Sequence, residues 1–225
     1  ILITEAARAT AANNQAHLQR LTKAVIQKTL QLSIFIAAGL LLYGNLIGTL
    51  LDGGALAGHL IRLLAPVVPF IYLEIVLEAL LKGMGQQSFS SLNYLAEYTI
   101  RIAIVLVCIP KFGFYGIVLS YYASNVCGNC FRLWKTCKTA RIRFSFWSDV
   151  GFPLFAAALA FQVPLCGLRL LHGMQFVWIC LLPAILIDYA LLKSYGKITA
   201  IPLLSKKQHA VSYTHLRAHE TTLHL

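Results

Sequence analysis

Long apolar blocks alternate with short polar ones along most of this chain. A membrane-spanning helix needs about 20 mostly apolar residues. Six blocks meet that need closely enough to be read as spans: Thr22–Leu46, His59–Leu81, Ser90–Cys108, Gly113–Leu133, Gly151–Leu171 and Phe176–Leu192. Ahead of them, Ile1–Ala12 reads as the end of an earlier helix, broken at Asn13-Asn14, and the chain enters mid-pattern, as a cut N-terminus would. From Gln15 a polar amphipathic stretch carrying Arg20, Lys23 and Lys28 leads into the first span. The connections at 47–58, 110–112 and 172–175 are too short for a folded extracellular domain. Short connections leave neighbouring spans antiparallel and adjacent. The pattern predicts an all-α, polytopic membrane helix bundle of about six transmembrane helices. Pro66, Pro69, Pro164 and Pro183 fall inside spans. An interior proline removes a hydrogen bond and kinks the helix, so Pro66 and Pro69 are hinge candidates.

Composition strengthens the membrane reading. The chain is 58% hydrophobic and only 12% charged, with a mean hydropathy of +0.71; a soluble domain is about 25% charged. The net charge of +11 raises the question of an acidic partner. Position answers it. With residues 5–21 in the cytoplasm, the connections at 82–89, 134–149 and 193–210 are cytoplasmic too. That side then holds Arg8, Arg20, Lys23, Lys28, Lys82, Arg132, Lys135, Lys138, Arg141, Arg143, Lys193, Lys197, Lys206 and Lys207, and the other side only Arg62, Lys111 and Arg169. An excess of Lys and Arg in cytoplasmic loops is the usual orientation signal of membrane proteins. The basic charge is thereby accounted for with no nucleic acid. The run from Lys135 to Arg143 also suits anionic headgroups.

Other candidate chemistry changes the picture little. Cys127-Gly-Asn-Cys130 has the C-x-x-C form, but there is no second pair and no βαβ context, so the thiols read as small apolar packing groups. Val211–Thr221 reads VSYTHLRAHET, which matches one frame of a transposase adapter used in sequencing libraries. Residues 211–225 are therefore taken as adapter read-through rather than native sequence, leaving 1–210 as the domain. His215, His219 and His224 go with the tail, and no metal site is expected. No nucleophile elbow, metalloprotease helix or P-loop occurs, so the chain is not read as an enzyme.

The informative stretch runs from Ala65 to Arg101. Ionisable residues in spans are costly in lipid and mark bundle interiors or substrate paths. Glu74 and Glu78 are four apart on the second span, and Glu97 and Arg101 four apart on the third; each pair therefore shares a helix face. The polar turn Lys82-Gly83-Met84-Gly85-Gln86-Gln87 lies between them on the cytoplasmic side. With about 1.5 Å per residue, Glu74 and Glu97 sit at similar depth, roughly 12 Å above the cytoplasmic edge. Asp188 lies in the sixth span. Local pairing of Glu97 with Arg101, and of Glu78 with Lys82, leaves Glu74 and Asp188 without an evident cation. An unpaired carboxylate there would be protonated, or hold a cation or polar substrate.

These residues carry a likeness. Pro66-x-x-Pro69-x-x-Tyr72, then Leu81-Lys82-Gly83-Met84-Gly85-Gln86-Gln87, Asn93, Arg101 and Pro110-x-x-Gly113-x-x-Gly116 resemble the stage V sporulation protein B-like flippases. These are a polysaccharide branch of the multidrug/oligosaccharidyl-lipid/polysaccharide (MATE/MOP) exporter superfamily. Ile3-Thr4-Glu5-Ala6 and the basic helix after it resemble the family's cytoplasmic lead-in. The resemblance covers nearly all of residues 1–200 and is most specific at 65–116. It implies two six-helix lobes around a cavity, this chain supplying most of the second lobe and a preceding lobe of the same chain supplying the first. It implies a multi-pass protein of a bacterial cell membrane that moves a lipid-linked oligosaccharide or peptidoglycan precursor by alternating access, for cell-wall or sporulation chemistry. No cofactor is implied beyond H⁺ or Na⁺ coupling. Arg101 would attract an anionic pyrophosphate or neutralise Glu97; Glu74, Glu78, Glu97, Asn93 and Asp188 would line the substrate or ion path. Glu74 and Glu78 stand where relatives often show Asp, which lengthens the reach of the carboxylate. Two other readings compete: a cation-coupled multidrug antiporter of the same fold, and a membrane scaffold that recruits cell-wall or sporulation enzymes through its basic connections.

Overall fold

The structure, a computed structural model, describes residues 1–51, 54–170, 184–190 and 193, without the side chains of 162–170. These residues are almost all helical, with no strand among them. The order is α1 (Leu2–Ala11), α2 (Gln15–Leu50), α3 (Gly54–Leu64), a 3₁₀ turn (Ala65–Val67), α4 (Val68–Gly83), α5 (Gln87–Phe112), α6 (Phe114–Ala140), a π turn (Trp147–Gly151) and α7 (Phe152–Leu170). Residues 184–190 form a further helical stretch. Among the described residues, three helical runs are long and apolar enough to cross a membrane: Gln15–Leu50, Gly54–Gly83 and Gln87–Phe112. At about 1.5 Å per residue the shortest spans roughly 39 Å, against a hydrocarbon core of about 30 Å. The chain is thus a membrane-type helical bundle.

The break expected at Asn13-Asn14 is present and has a clear cause. Asn13 takes a left-handed conformation (φ 50°), letting the N–H of Asn14 reach the Ala9 carbonyl and that of Asn13 the Thr10 carbonyl. This is the Schellman way of ending a helix. Asn14 then caps α2 by accepting from the His17 N–H at 3.0 Å. The Lys82–Gln87 turn repeats the device. Gly85 is left-handed (φ 73°), the Gln86 N–H bonds the Leu81 carbonyl and the Gly85 N–H bonds that of Lys82. Gly83 is needed for another reason: a Cβ there would come within 2.6 Å of the Ala6 Cβ, because α1 packs across the end of α4.

The second span differs from the single helix expected. It is interrupted by the 3₁₀ turn at Ala65–Val67, with Pro66 inside the turn and Pro69 in the first turn of α4. The prolines lack the N–H groups that a continuous ladder would require. Side chains of α6 bracket the interruption: Tyr122 donates to the Leu63 carbonyl at 2.5 Å and Asn129 to that of Phe70 at 3.0 Å. Such help from a neighbour is what makes broken helices tolerable in lipid.

Between α5 and α6 the chain turns through Gly113 alone, at φ 55° and ψ −128°. A Cβ on Gly116 would lie 2.8 Å from the Cys108 carbonyl carbon and the Ile109 nitrogen. The Pro110-x-x-Gly113-x-x-Gly116 spacing therefore builds a tight antiparallel hairpin. The main apolar core lies among α1, α2 and α4, with Leu77, Leu80 and Leu81 fully buried against Leu18, Leu30 and Ile34. A smaller cluster joins Tyr43, Phe161 and Ala184, with the Phe35 and Phe161 rings stacked 4.9 Å apart. The fifth expected span corresponds to α7. Most of the sixth lies outside the described residues, as do the 211–225 tail and its histidines.

Candidate functional site

Helices α5 and α6 are polar on their buried faces and apolar on their exposed ones. On α5, Ser90, Asn93 and Glu97 are buried, while Leu92, Leu95, Ile102 and Leu106 are exposed. On α6, Asn125, Asn129, Arg132 and Thr136 are buried at alternating spacings of four and three, while Ile117, Leu119, Phe131 and Trp134 are exposed. A water-soluble helix arranges these faces the other way round. An apolar face toward lipid and a polar face inward is the arrangement that costs least in a membrane.

Where α4, α5 and α6 meet, the polar faces build one network centred on Arg132. This side chain is completely buried. Its Nη1 lies 2.9 Å from Glu97 Oε2, its Nη2 3.3 Å from Glu74 Oε1 and its Nε 3.9 Å from Glu78 Oε2. Only the Glu74 contact is a hydrogen bond; the Glu97 contact is an ion pair whose N–H points aside, and the Glu78 contact is an ion pair too long for a hydrogen bond. The guanidinium also lies over the Tyr94 ring, 4.5 Å from its centroid, and the Tyr94 side chain stands beside Glu74. Gly128 makes room: a Cβ there would strike the Glu97 carboxylate and lie 3.0 Å from Arg132 Nη1. Asn93 donates to the Gly128 carbonyl at 3.3 Å, holding α5 to α6 at this level.

Two further cations complete the network. Arg101 Nη2 donates to Glu97 Oε1 at 3.1 Å and its Nε to Ser124 Oγ at 2.9 Å, with the guanidinium against the rings of Tyr98 and Tyr121. Lys82 Nζ lies 2.9 Å from Glu78 Oε1, and the Ser90 hydroxyl donates to Glu78 Oε2. The Glu97–Arg101 and Glu78–Lys82 pairs are those the four-residue spacing implies. Glu74 is not left without a cation, because Arg132 reaches it from α6. Three carboxylates face three cations, so the site as a whole is neutral.

Arg132 is the residue that sequence reasoning placed elsewhere, among the cytoplasmic loop charges at the end of the fourth span. The helix instead runs on to Ala140, which keeps Arg132 inside the bundle. The signal was present in the spacing: Asn125, Asn129, Arg132 and Thr136 form one inward stripe. Asp188 is buried, but no ion pair joins it to this network among the described residues. A second buried carboxylate, Asp149, accepts from Gln27 Nε2 at 2.7 Å and from the Ser145 N–H at 2.9 Å. The turn residues Lys82, Gly83, Gly85, Gln86 and Gln87 lie just beyond the network; apart from Lys82 their visible work is to end α4 and admit α1.

No family model, curated protein or solved structure matches the chain.

Proposed function

We propose that this chain is the second lobe of a MATE/MOP-type exporter that moves a lipid-linked oligosaccharide or a peptidoglycan or polysaccharide precursor across a bacterial cell membrane by alternating access. The observation that carries the reading is the buried, charge-balanced network of Glu74, Glu78, Glu97, Lys82, Arg101 and Arg132 between three helices. A single arginine at the centre of a membrane helix costs about 3 kcal/mol on insertion scales. A chain needing only stability would do as well with apolar side chains there. The resemblance across 65–116 supplies the substrate class. In this reading the interrupted second span is a give-point, and Glu97, held between Arg101 and Arg132, exchanges partners as the lobes rock. With α6 and α7 taken as further spans, the described helices supply five spans of the six-span plan; in this reading their basic connections face the cytoplasm.

The neutrality of the site bears on the alternatives. A cation-coupled drug antiporter needs spare negative charge for its cargo, and three carboxylates matched by three cations offer none in this arrangement. The completeness of the pairing favours a different second reading, a non-transporting scaffold in which the network only fixes helix register. The joint variant Glu97→Gln with Arg101→Gln separates the two. It removes one charge of each sign and leaves Glu74, Glu78, Lys82 and Arg132 balanced. A transporter carrying it loses precursor export while keeping its fold. A scaffold keeps its phenotype.

A further inference from the structure

Gln15, Gln19, Lys23 and Gln27 are four apart on α2 and so share one face. Three of the four are tied to the end of α6 and the segment that follows it. Gln15 donates to the Ala140 carbonyl at 2.9 Å, Gln19 to that of Arg141 at 3.1 Å, and Gln27 to Asp149 Oδ1 at 2.7 Å. Residues 140–149 therefore run along this face of α2. Lys23 stands between the attachments at Arg141 and Asp149, beside the stretch that carries Arg143. Exposure alternates along that stretch: Ile142 and Phe144 pack against the core, while Arg141 and Arg143 are exposed, as is Lys23. The left-handed conformation of Arg141 (φ 54°) ends α6 and begins this segment.

Three exposed cations thus lie on this face of α2 and on the segment that runs along it. The only carboxylate in the segment, Asp149, is buried and already accepts from Gln27 and the Ser145 N–H. Among the described residues, neither Lys23, Arg141 nor Arg143 forms an ion pair. Immediately alongside, Phe146 and Trp147 are 66% and 81% exposed. Exposed aromatic rings next to cations at the end of apolar helices suit the boundary between headgroups and acyl chains. We propose that Lys23, Arg141 and Arg143 form a binding site for the phosphate of an anionic phospholipid, with Phe146 and Trp147 seated in the interfacial layer beside it. The surface is separate from the Arg132 network, and the inference rests on the membrane reading alone, not on transport.

The test uses the full chain in a neutral detergent, titrated with phosphatidylglycerol or with phosphatidylcholine of the same acyl chains. The thermal unfolding midpoint and the lipid retained in native mass spectra are read. Phosphatidylglycerol is expected to raise the midpoint and to be retained, with phosphatidylcholine doing neither. The response should fade as NaCl rises from about 0.05 M to about 0.5 M, since the site is exposed to screening. Lys23→Gln with Arg141→Gln and Arg143→Gln should weaken the apparent affinity at least tenfold, and Lys111→Gln, outside the site, should leave it unchanged. Should the triple variant not fold, Lys23→Gln alone is read by lipid retention, where a several-fold loss is expected. Equal response to the two lipids, a variant that keeps wild-type affinity, or equal loss in Lys111→Gln would overturn the proposal. So would full competition by inorganic phosphate, which would make this a free-phosphate site.

Discussion

Arg132 touches three carboxylates and one aromatic ring and has no access to solvent. Truncating it leaves buried negative charge without compensation, which costs about 3–5 kcal/mol where such pairs have been broken. Arg132→Met is therefore expected to lower the unfolding midpoint in detergent sharply, and adding Glu97→Gln to restore part of the loss, because it removes the carboxylate that Arg132 meets most closely. Arg132→Lys should rescue little. An ammonium is a point charge, whereas the guanidinium reaches Glu74, Glu78 and Glu97 from three different nitrogens. If Arg132→Met unfolds at the wild-type temperature, Arg132 is not the centre of the network. Glu74, Glu78, Glu97 and Arg101 were legible in the sequence because a charge inside an apolar run is conspicuous. Arg132 was not, because it sits six residues before Lys138 and three before Lys135, and charge counting grouped it with them. Helical phase would have separated it: Lys138 is exposed and Arg132 buried on the same helix.

At the scale of elements, the ends of the helices rest on a few backbone conformations. Gly113 (φ 55°, ψ −128°) lies outside the regions that side chains tolerate, and Gly85 (φ 73°) closes α4. Gly113→Ala is expected to cost about 1–3 kcal/mol and Gly85→Ala about 1 kcal/mol. Neither would meet a steric clash, since open space surrounds both positions, so backbone strain alone is measured. Thermal unfolding of the two variants side by side checks the order. Gly128→Val is different in kind: its side chain would displace Glu97 from Arg132. It should damage stability more than either turn variant. Apolar block length and turn chemistry sufficed to find helices α2, α4, α5, α6 and α7. The interruption at Ala65–Val67 was legible only as a kink, because whether two prolines bend a helix or break it depends on a neighbour that can serve the nearby carbonyls. Here that neighbour is α6, through Tyr122 and Asn129.

For the molecule as a whole, contacts gather three connections at one end of the bundle. Gly83 abuts Ala6, and Gln15 and Gln19 hold the carbonyls of Ala140 and Arg141. Those are the connections that carry the basic charge. Their common location fits the positive-inside orientation, though Arg132 leaves the count of loop charges. A cysteine placed at Gln87 should therefore react with a membrane-impermeant maleimide only after the membrane is opened, and one at Lys111 in intact cells; the opposite pattern would invert the topology. What the bundle does was least legible of all, because transport depends on an equilibrium between arrangements, and spacing along one chain specifies contacts within only one. The most direct measurement is accumulation of lipid-linked precursor on the inner leaflet in cells whose only copy of the protein carries Glu97→Gln with Arg101→Gln. The account predicts at least a tenfold loss of export with unchanged membrane level and a lowered but still cooperative unfolding transition, since the ion pairs of Glu97 with Arg101 and Arg132 are lost. Export at the wild-type rate from a folded variant would contradict it.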